Sequence, residues 1–303
     1  MTAPTVAWSL HTDVGRTRER NEDAAGGELG VDVASGEARG VFVVCDGMGG
    51  HAGGREASTL AVEVLRRRLG WVLREPWPEA AELGGRVEEA LRAAHAAIAE
   101  RNDAVDAGGR DRAGTTAVVL LLSGARACVA HVGDSRAYLV TGAETVQLTA
   151  DHNVATRETN RGERPEDAQA RPDARQLTQA LGPIREEQLR PTLVALTVQQ
   201  DSLFLLCTDG LSDGGFVEAH EAELLRPLLA GGAGLEAGCR ALVARAAAVN
   251  GHDNVTALLV RVAGLGAGAR EPTTEPRADA VTRQATAPAR AGWLGRLGFG
   301  RRS

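Results

Sequence analysis

The sequence predicts an α+β fold, with strands in two antiparallel sheets and helices in pairs outside them. Three observations predict it. The run at 41–45 (VFVVC) is continuously apolar, the pattern of a buried strand. A β-rich block begins near residue 117 and opens with a hairpin, its two runs joined by Ser123-Gly124-Ala125-Arg126. Helical spacing is confined to two blocks, rather than following each strand in turn.

Residues 6–10 read as the first strand and 41–45 as the next, ending in a glycine-rich turn. Helices follow at 58–69, with Leu60, Ala61, Val64 and Leu65 on one face, and at 87–101, burying Leu91, Ala94 and Ile98. Strands are expected at 117–122 and 127–132, with 136–140 and 146–148 continuing the same meander. Residues 151–179 are polar and without clear periodicity, and read as a flexible insertion. Strands return at 193–198 and 203–207, helices at 217–229 and 235–249, and a last strand at 255–262. This outlines one folded domain over 1–263. Residues 264–303 turn to Gly, Ala, Pro, Thr and Arg and read as a disordered tail with a basic, aromatic end, GWLGRLGFGRRS.

Apolar residues make up 43% of the 303, enough for a core in a single unit of this class, but aromatics are only 3%, so Leu, Val and Ala must fill it. All 34 basic side chains are arginine, and the net charge of −6 argues against a nucleic-acid partner. Cys45, Cys128, Cys207 and Cys239 form no CxxC motif and read as small buried hydrophobes in a reducing compartment. No apolar signal core and no apolar stretch of about 20 residues appears. The expectation is a cytoplasmic protein, and a monomer, since no coiled-coil heptad is present.

Two strands run directly into Asp-Gly: VFVVC into Asp46-Gly47, and LFLLCT into Asp209-Gly210. Asp-Gly is a hairpin signal, yet no strand follows either one. The aspartates are therefore expected in bare turns at strand ends, facing a site above the sheets. Glu22-Asp23 and Asp253-Asn254 add further acids. Carboxylates gathered from distant strands repel one another unless cations neutralise them, and oxygen donors without clustered His or Cys favour Mg²⁺ or Mn²⁺ over Zn²⁺. Arg18 is the natural phosphate anchor, because its fork grips two oxygens. The run from Gly47 to Ala52 imitates a dinucleotide fingerprint, but the second strand and acid which that fold requires are replaced by helix.

Seven ordered pieces, spanning roughly residues 6–262, resemble the type-2C, or PPM, family of metal-dependent protein phosphatases in its bacterial branch. They are Arg18-x-x-Asn21-Glu22-Asp23, Val44-Cys45-Asp46-Gly47-Met48-Gly49-Gly50-His51, Ala113-Gly114-Thr115-Thr116, Val132-Gly133-Asp134-Ser135-Arg136, Leu148-Thr149-Ala150-Asp151-His152, Thr208-Asp209-Gly210-Leu211-Ser212-Asp213 and Asp253-Asn254-Val255-Thr256. The resemblance implies a four-layer α-β-β-α sandwich and a serine/threonine phosphatase that acts on phosphoproteins and opposes a Ser/Thr kinase. It implies two Mn²⁺ or Mg²⁺ ions bridged by a water or hydroxide that attacks phosphorus. Asp46 would bridge both ions and the Gly47 carbonyl would complete one. Asp209 and Asp253 would bind the other, and Glu22 and Asp23 would act mostly through bound waters. Asp134 would help Asp209 hold a third, weaker ion, and Arg18 would hold the phosphate. Eukaryotic members often place a histidine, read as the general acid, where this chain has Met48, which leaves His51 as the nearest candidate. His152 and Arg175 fall in the family's flap and are not expected to be catalytic. The alternative is a catalytically weak regulator that binds phosphoproteins on the same fold. Its sign would be lost metal carboxylates, and none of the main ones is missing.

Overall fold

Along the run from Val41 to Cys45, successive side chains point to opposite faces of a strand, and both faces are covered. Val41, Val43 and Cys45 pack under helices, while Phe42 and Val44 meet a second sheet. This double coverage accounts for a run with no polar alternation. The computed structural model describes residues 4–49, 53–105, 112–229 and 234–265. The first sheet has the order β1 (Thr5–Asp13), β11 (Val255–Ala263), β10 (Ser202–Cys207), β7 (Arg136–Val140), β8 (Thr145–Gln147). The second has the order β2 (Asp23–Val31), β3 (Ala38–Met48), β5 (Ala117–Ser123), β6 (Arg126–Val132), β9 (Thr192–Thr197), with β4 (Gly114–Thr115) against the end of β3. The pairings are antiparallel.

Helices α1 (Gly53–Leu69) and α2 (Ala80–Val105) cover the second sheet. The insertion between β8 and β9 folds into α3 (Val154–Asn160) and α4 (Pro165–Ala170). After β10 come the short α5 (Asp209–Ser212), α6 (Phe216–His220) and α7 (Arg226–Leu229), and then α8 (Leu235–Val249), which together cover the first sheet. The expected four-layer sandwich is thus present, with an apolar layer between the sheets built from residues such as Phe42, Leu120, Leu139, Phe204 and Leu258.

Four expectations need correction. Residues 136–140 and 146–148 do not continue the β5–β6 meander; the chain crosses at 133–135 into the other sheet. The helix expected at 217–229 is broken: a left-handed Gly214-Gly215 pair precedes α6, and a π-helical turn at Glu221–Leu225 precedes α7. The insertion at 151–179, expected to be flexible because it shows no periodicity, folds into α3 and α4. Asn153 caps α3 by accepting the Thr156 amide hydrogen at 2.9 Å, and Val154, Ala168 and Ala174 are buried. Finally, β2 was not anticipated, because glycines 26, 27 and 30 give its sequence little strand character. One of them has a clear packing purpose: a Cβ on Gly27, like one on Gly40 of β3, would press on the Phe42 ring at 2.6 Å. Phe42 fills that space and lies 5.7 Å from the Trp8 ring. Phe42→Ala is therefore expected to cost about 3–5 kcal/mol, read as a lower urea midpoint with an unchanged slope.

Candidate metal centre

Asp23 and Asp46 lie opposite each other in the β2–β3 register. Asp209 is the first residue of α5, two residues beyond the end of β10, and Asp253 stands two residues before the start of β11. Asp134 sits in the crossing between β6 and β7. The two sheets thus send these acids to one end of the sandwich. Asp46 is not in a bare turn as expected. β3 continues through Gly47 and Met48, which pair with Thr115 and Gly114. The Asp46 amide donates to Thr116 Oγ1 at 3.0 Å, and its carbonyl accepts from the Thr116 amide at 2.9 Å and the Thr115 hydroxyl at 2.8 Å. Its side chain is therefore aimed from a fully paired strand.

Gly47 is required by crowding, since a Cβ there would strike the Gly54 carbonyl and the Glu22 carbonyl. The Glu22 carbonyl accepts from the Gly47 amide at 3.2 Å and the Ser58 hydroxyl at 2.5 Å. Asn254 ties the Arg18-bearing loop to the sheets. Its Nδ2 donates to the Val14 and Arg20 carbonyls, both at 2.9 Å, and its Oδ1 accepts from the Glu22 amide at 2.8 Å. Arg18 donates to Asp253 at 2.7 Å, with its side chain still 52% exposed. His51 lies outside the described residues.

The carboxylates keep partial access to solvent, yet surrounding protein strips most of their water. That desolvation is the largest cause of each shift that follows. Asp23 is pushed up to about 7, with hydroxyl bonds from Thr256 and Thr208 opposing the rise and the charges of Asp209 and Asp253 adding to it. Asp134 is pushed up to about 8, with Asp209 and Asp151 adding. Asp46 rises well above the carboxylate range, through desolvation and then Asp23 and Asp209. Asp209 rises through desolvation and the charges of Asp213 and Asp253. Glu22 also rises, by desolvation first, with Arg18 opposing.

Asp23 Oδ1 and Asp209 Oδ1 are buried without a hydrogen-bond partner. Bare oxygens in an acid cluster need protons or cations, and an all-oxygen donor set suits Mg²⁺ or Mn²⁺. The residues present therefore fit such ions. Among the described residues no three acidic, histidine or cysteine side chains close into a finished cage. A Mg²⁺-like ion tolerates that, taking one or two carboxylates and keeping several waters.

The protein phosphatase 2C family matches residues 15–236. The chain belongs to that family. It is 31% identical over 257 residues to the protein phosphatase PhpP of Streptococcus pneumoniae, covering 83% of this chain and 96% of PhpP. It is 30% identical over 270 residues to the serine/threonine protein phosphatase PstP of Mycobacterium tuberculosis, covering 88% of this chain but 47% of PstP, so it spans about half that relative's length. A crystal structure of the PstP catalytic domain in complex with two manganese ions matches with a TM-score of 0.67 at 28% identity, covering 86% of this chain and 99% of that one.

In this phosphatase 2C chain two clefts flank the acids. One, of about 540 Å³, starts at Glu22 and runs along α1 past Arg55 to Arg101. The other, of about 520 Å³, lies between the α3–α4 insertion and Asp134, Asp209 and Asp213. Arg175 of the insertion reaches Asp213 at 2.7 Å. His152 is turned inward: its Nδ1 accepts from the Gly133 amide at 3.2 Å, and its ring stacks on His131 with centroids 4.4 Å apart. The four cysteines are buried and free. Sequence reasoning assigned no role to Thr208, Thr256 or Asn254, although each lies inside a quoted motif.

Proposed function

We propose that this chain is a metal-dependent protein serine/threonine phosphatase, hydrolysing phosphoserine and phosphothreonine with water and two Mn²⁺ or Mg²⁺ ions. The observation that carries this reading is the pair of bare carboxylate oxygens, Asp23 Oδ1 and Asp209 Oδ1, in a cluster of acids drawn from both sheets. Asp46, the Gly47 carbonyl, Asp209 and Asp253 are assigned as the main holders. Asp23 and Glu22 support them, and Asp134 with Asp209 is assigned to a third, weaker ion. The cations, when bound, supply the Lewis acidity that makes water nucleophilic near neutral pH and offsets charge on the phosphoryl oxygens. Arg18 orients the phosphate with its free donors while Asp253 anchors one end of its fork. His51 remains the side-chain candidate for protonating the leaving oxygen.

The catalytic unit is assigned to residues 1–263, because the last strand of the first sheet ends at Ala263. Phosphoproteins are the proposed substrates, a Ser/Thr kinase the proposed counterpart, and a cytoplasmic monomer the proposed form. No helix among the described residues is long and apolar enough to cross a membrane.

The test is hydrolysis of a phosphothreonine peptide with Mn²⁺ and then with excess EDTA, beside an Asp209→Asn control. Activity that requires the metal and is lost in the control supports the reading; a folded protein inactive with every divalent cation overturns it. Arg18→Ala is expected to raise KM by about 10- to 100-fold with a smaller change in kcat, the loss of one charge-assisted bond to the phosphate. Steady-state kinetics on the same peptide check it.

A further inference from the structure

The Asp23 carboxylate is gripped from the opposite sheet. Its Oδ2 accepts from the Thr256 hydroxyl at 2.6 Å and the Thr208 hydroxyl at 2.9 Å. A hydroxyl has one proton to give. Thr256 gives its proton to Asp23, so in its 2.7 Å contact with Thr12 it must accept. Thr12 in turn accepts from Asn21 Nδ2 at 2.7 Å, and Asn21 Oδ1 accepts the Asp23 amide hydrogen at 3.1 Å. The bonds therefore form a closed ring from Asn21 through Thr12 and Thr256 to Asp23 and back. Thr208 adds a brace: it donates to Asp23 and accepts the Thr256 amide hydrogen at 3.1 Å. The side-chain donors of the ring run from Asn21 through Thr12 and Thr256 to Oδ2, while Oδ1 of the same carboxylate is left bare and buried.

We propose that Thr12, Thr208 and Thr256, with Asn21, are positioning residues that lock Asp23 in one orientation and present its Oδ1 to a divalent cation. This rests on the reading of the acid cluster as a cation centre. The hydroxyls saturate one oxygen of the carboxylate, so its second oxygen faces the centre without a rotamer search. Partners of this kind, one bond removed from the ligand, change metal affinity by about 10- to 100-fold.

The experiment is calorimetric titration of Mn²⁺ into the EDTA-stripped, dialysed 303-residue chain, for wild type, Thr256→Val and Thr256→Ser. Valine keeps the shape and removes the hydroxyl; serine restores it. The expected result is Mn²⁺ binding weakened about 10-fold or more in Thr256→Val and recovered in Thr256→Ser. The Mn²⁺ concentration for half-maximal activity should rise in parallel, with kcat at saturating Mn²⁺ close to wild type. Mn²⁺ affinity in Thr256→Val within twofold of wild type, whatever its thermal stability, overturns the proposal and leaves the phosphatase reading standing. A wild type that binds no Mn²⁺ at all defeats that reading first, and the proposal with it. If Thr256→Val does not fold, Thr208→Ala takes its place, with the same expected and overturning results.

Discussion

Asp209→Asn is expected to abolish turnover and, at the same time, to stabilise the metal-free protein. Asparagine keeps the shape of the side chain but removes the charge that would hold a cation. Losing a charged ligand removes several kcal/mol of stabilisation from the transition state, so kcat/KM should fall by about 10³-fold or more. Without metal the balance reverses. Desolvation and neighbouring charges hold both the Asp46 and the Asp209 carboxyl above the ordinary range, and the charge of Asp209 is among those that raise Asp46. An amide at 209 ends that repulsion. In EDTA the variant should melt a few degrees above wild type, since about 1 kcal/mol moves Tm by roughly 2–4 °C in a domain of this size. Peptide hydrolysis and calorimetry in EDTA check the two halves. A variant with near-normal activity would remove Asp209 from the centre.

The second large effect is a pH dependence that exists only without metal. In the unfolded chain the aspartates titrate near the model value of 3.8, whereas in the folded one Asp23 lies at about 7 and Asp134 at about 8. Between those limits the folded state holds protons that the unfolded state has released. Stability therefore falls as pH rises, and levels off once both groups have ionised. Buried His152 works the other way. Desolvation pulls it down to about 3 from 6.5, so it removes stability as pH falls below 6.5. The carboxylates consequently dominate between about pH 6.5 and 8. In that window Tm in EDTA should decline with pH, while saturating Mn²⁺ should flatten the curve by taking the protons' place. A flat curve in EDTA would show that the acids are not desolvated together.

The Asp-Gly pairs at 46 and 209 were legible because a continuous apolar run ending in an acid has few structural explanations once a hairpin is excluded. The sheet to which each strand belongs was not legible. Local patterning reports that residues 136–140 form a strand, but whether it pairs with β6 or with β10 depends on the crossing at 133–135 and on contacts far along the chain. β2 stayed hidden because its glycines answer to packing that local patterning does not show, Gly27 against the Phe42 ring and Gly26 against Val62 and Arg66. The helices of the insertion are held by a cap and by short-range pairs such as Arg164 with Asp167, which leave no 3.6-residue apolar stripe to read. Thr208 and Thr256 escaped notice because threonine in or beside a strand is ordinary; their use lies in where the hydroxyl points.

The layer between the two sheets is apolar, but at the acid-bearing end the sheets are joined through Thr208 and Thr256 on Asp23. A cation held by acids from both sheets would fasten the same seam, and a ligand bound only by the folded state makes opening rarer in proportion to its occupancy. Protease attack follows the open population when reclosing is fast. In a cell short of divalent cations, this chain would be degraded sooner as well as work more slowly, so metal supply would set its abundance along with its rate.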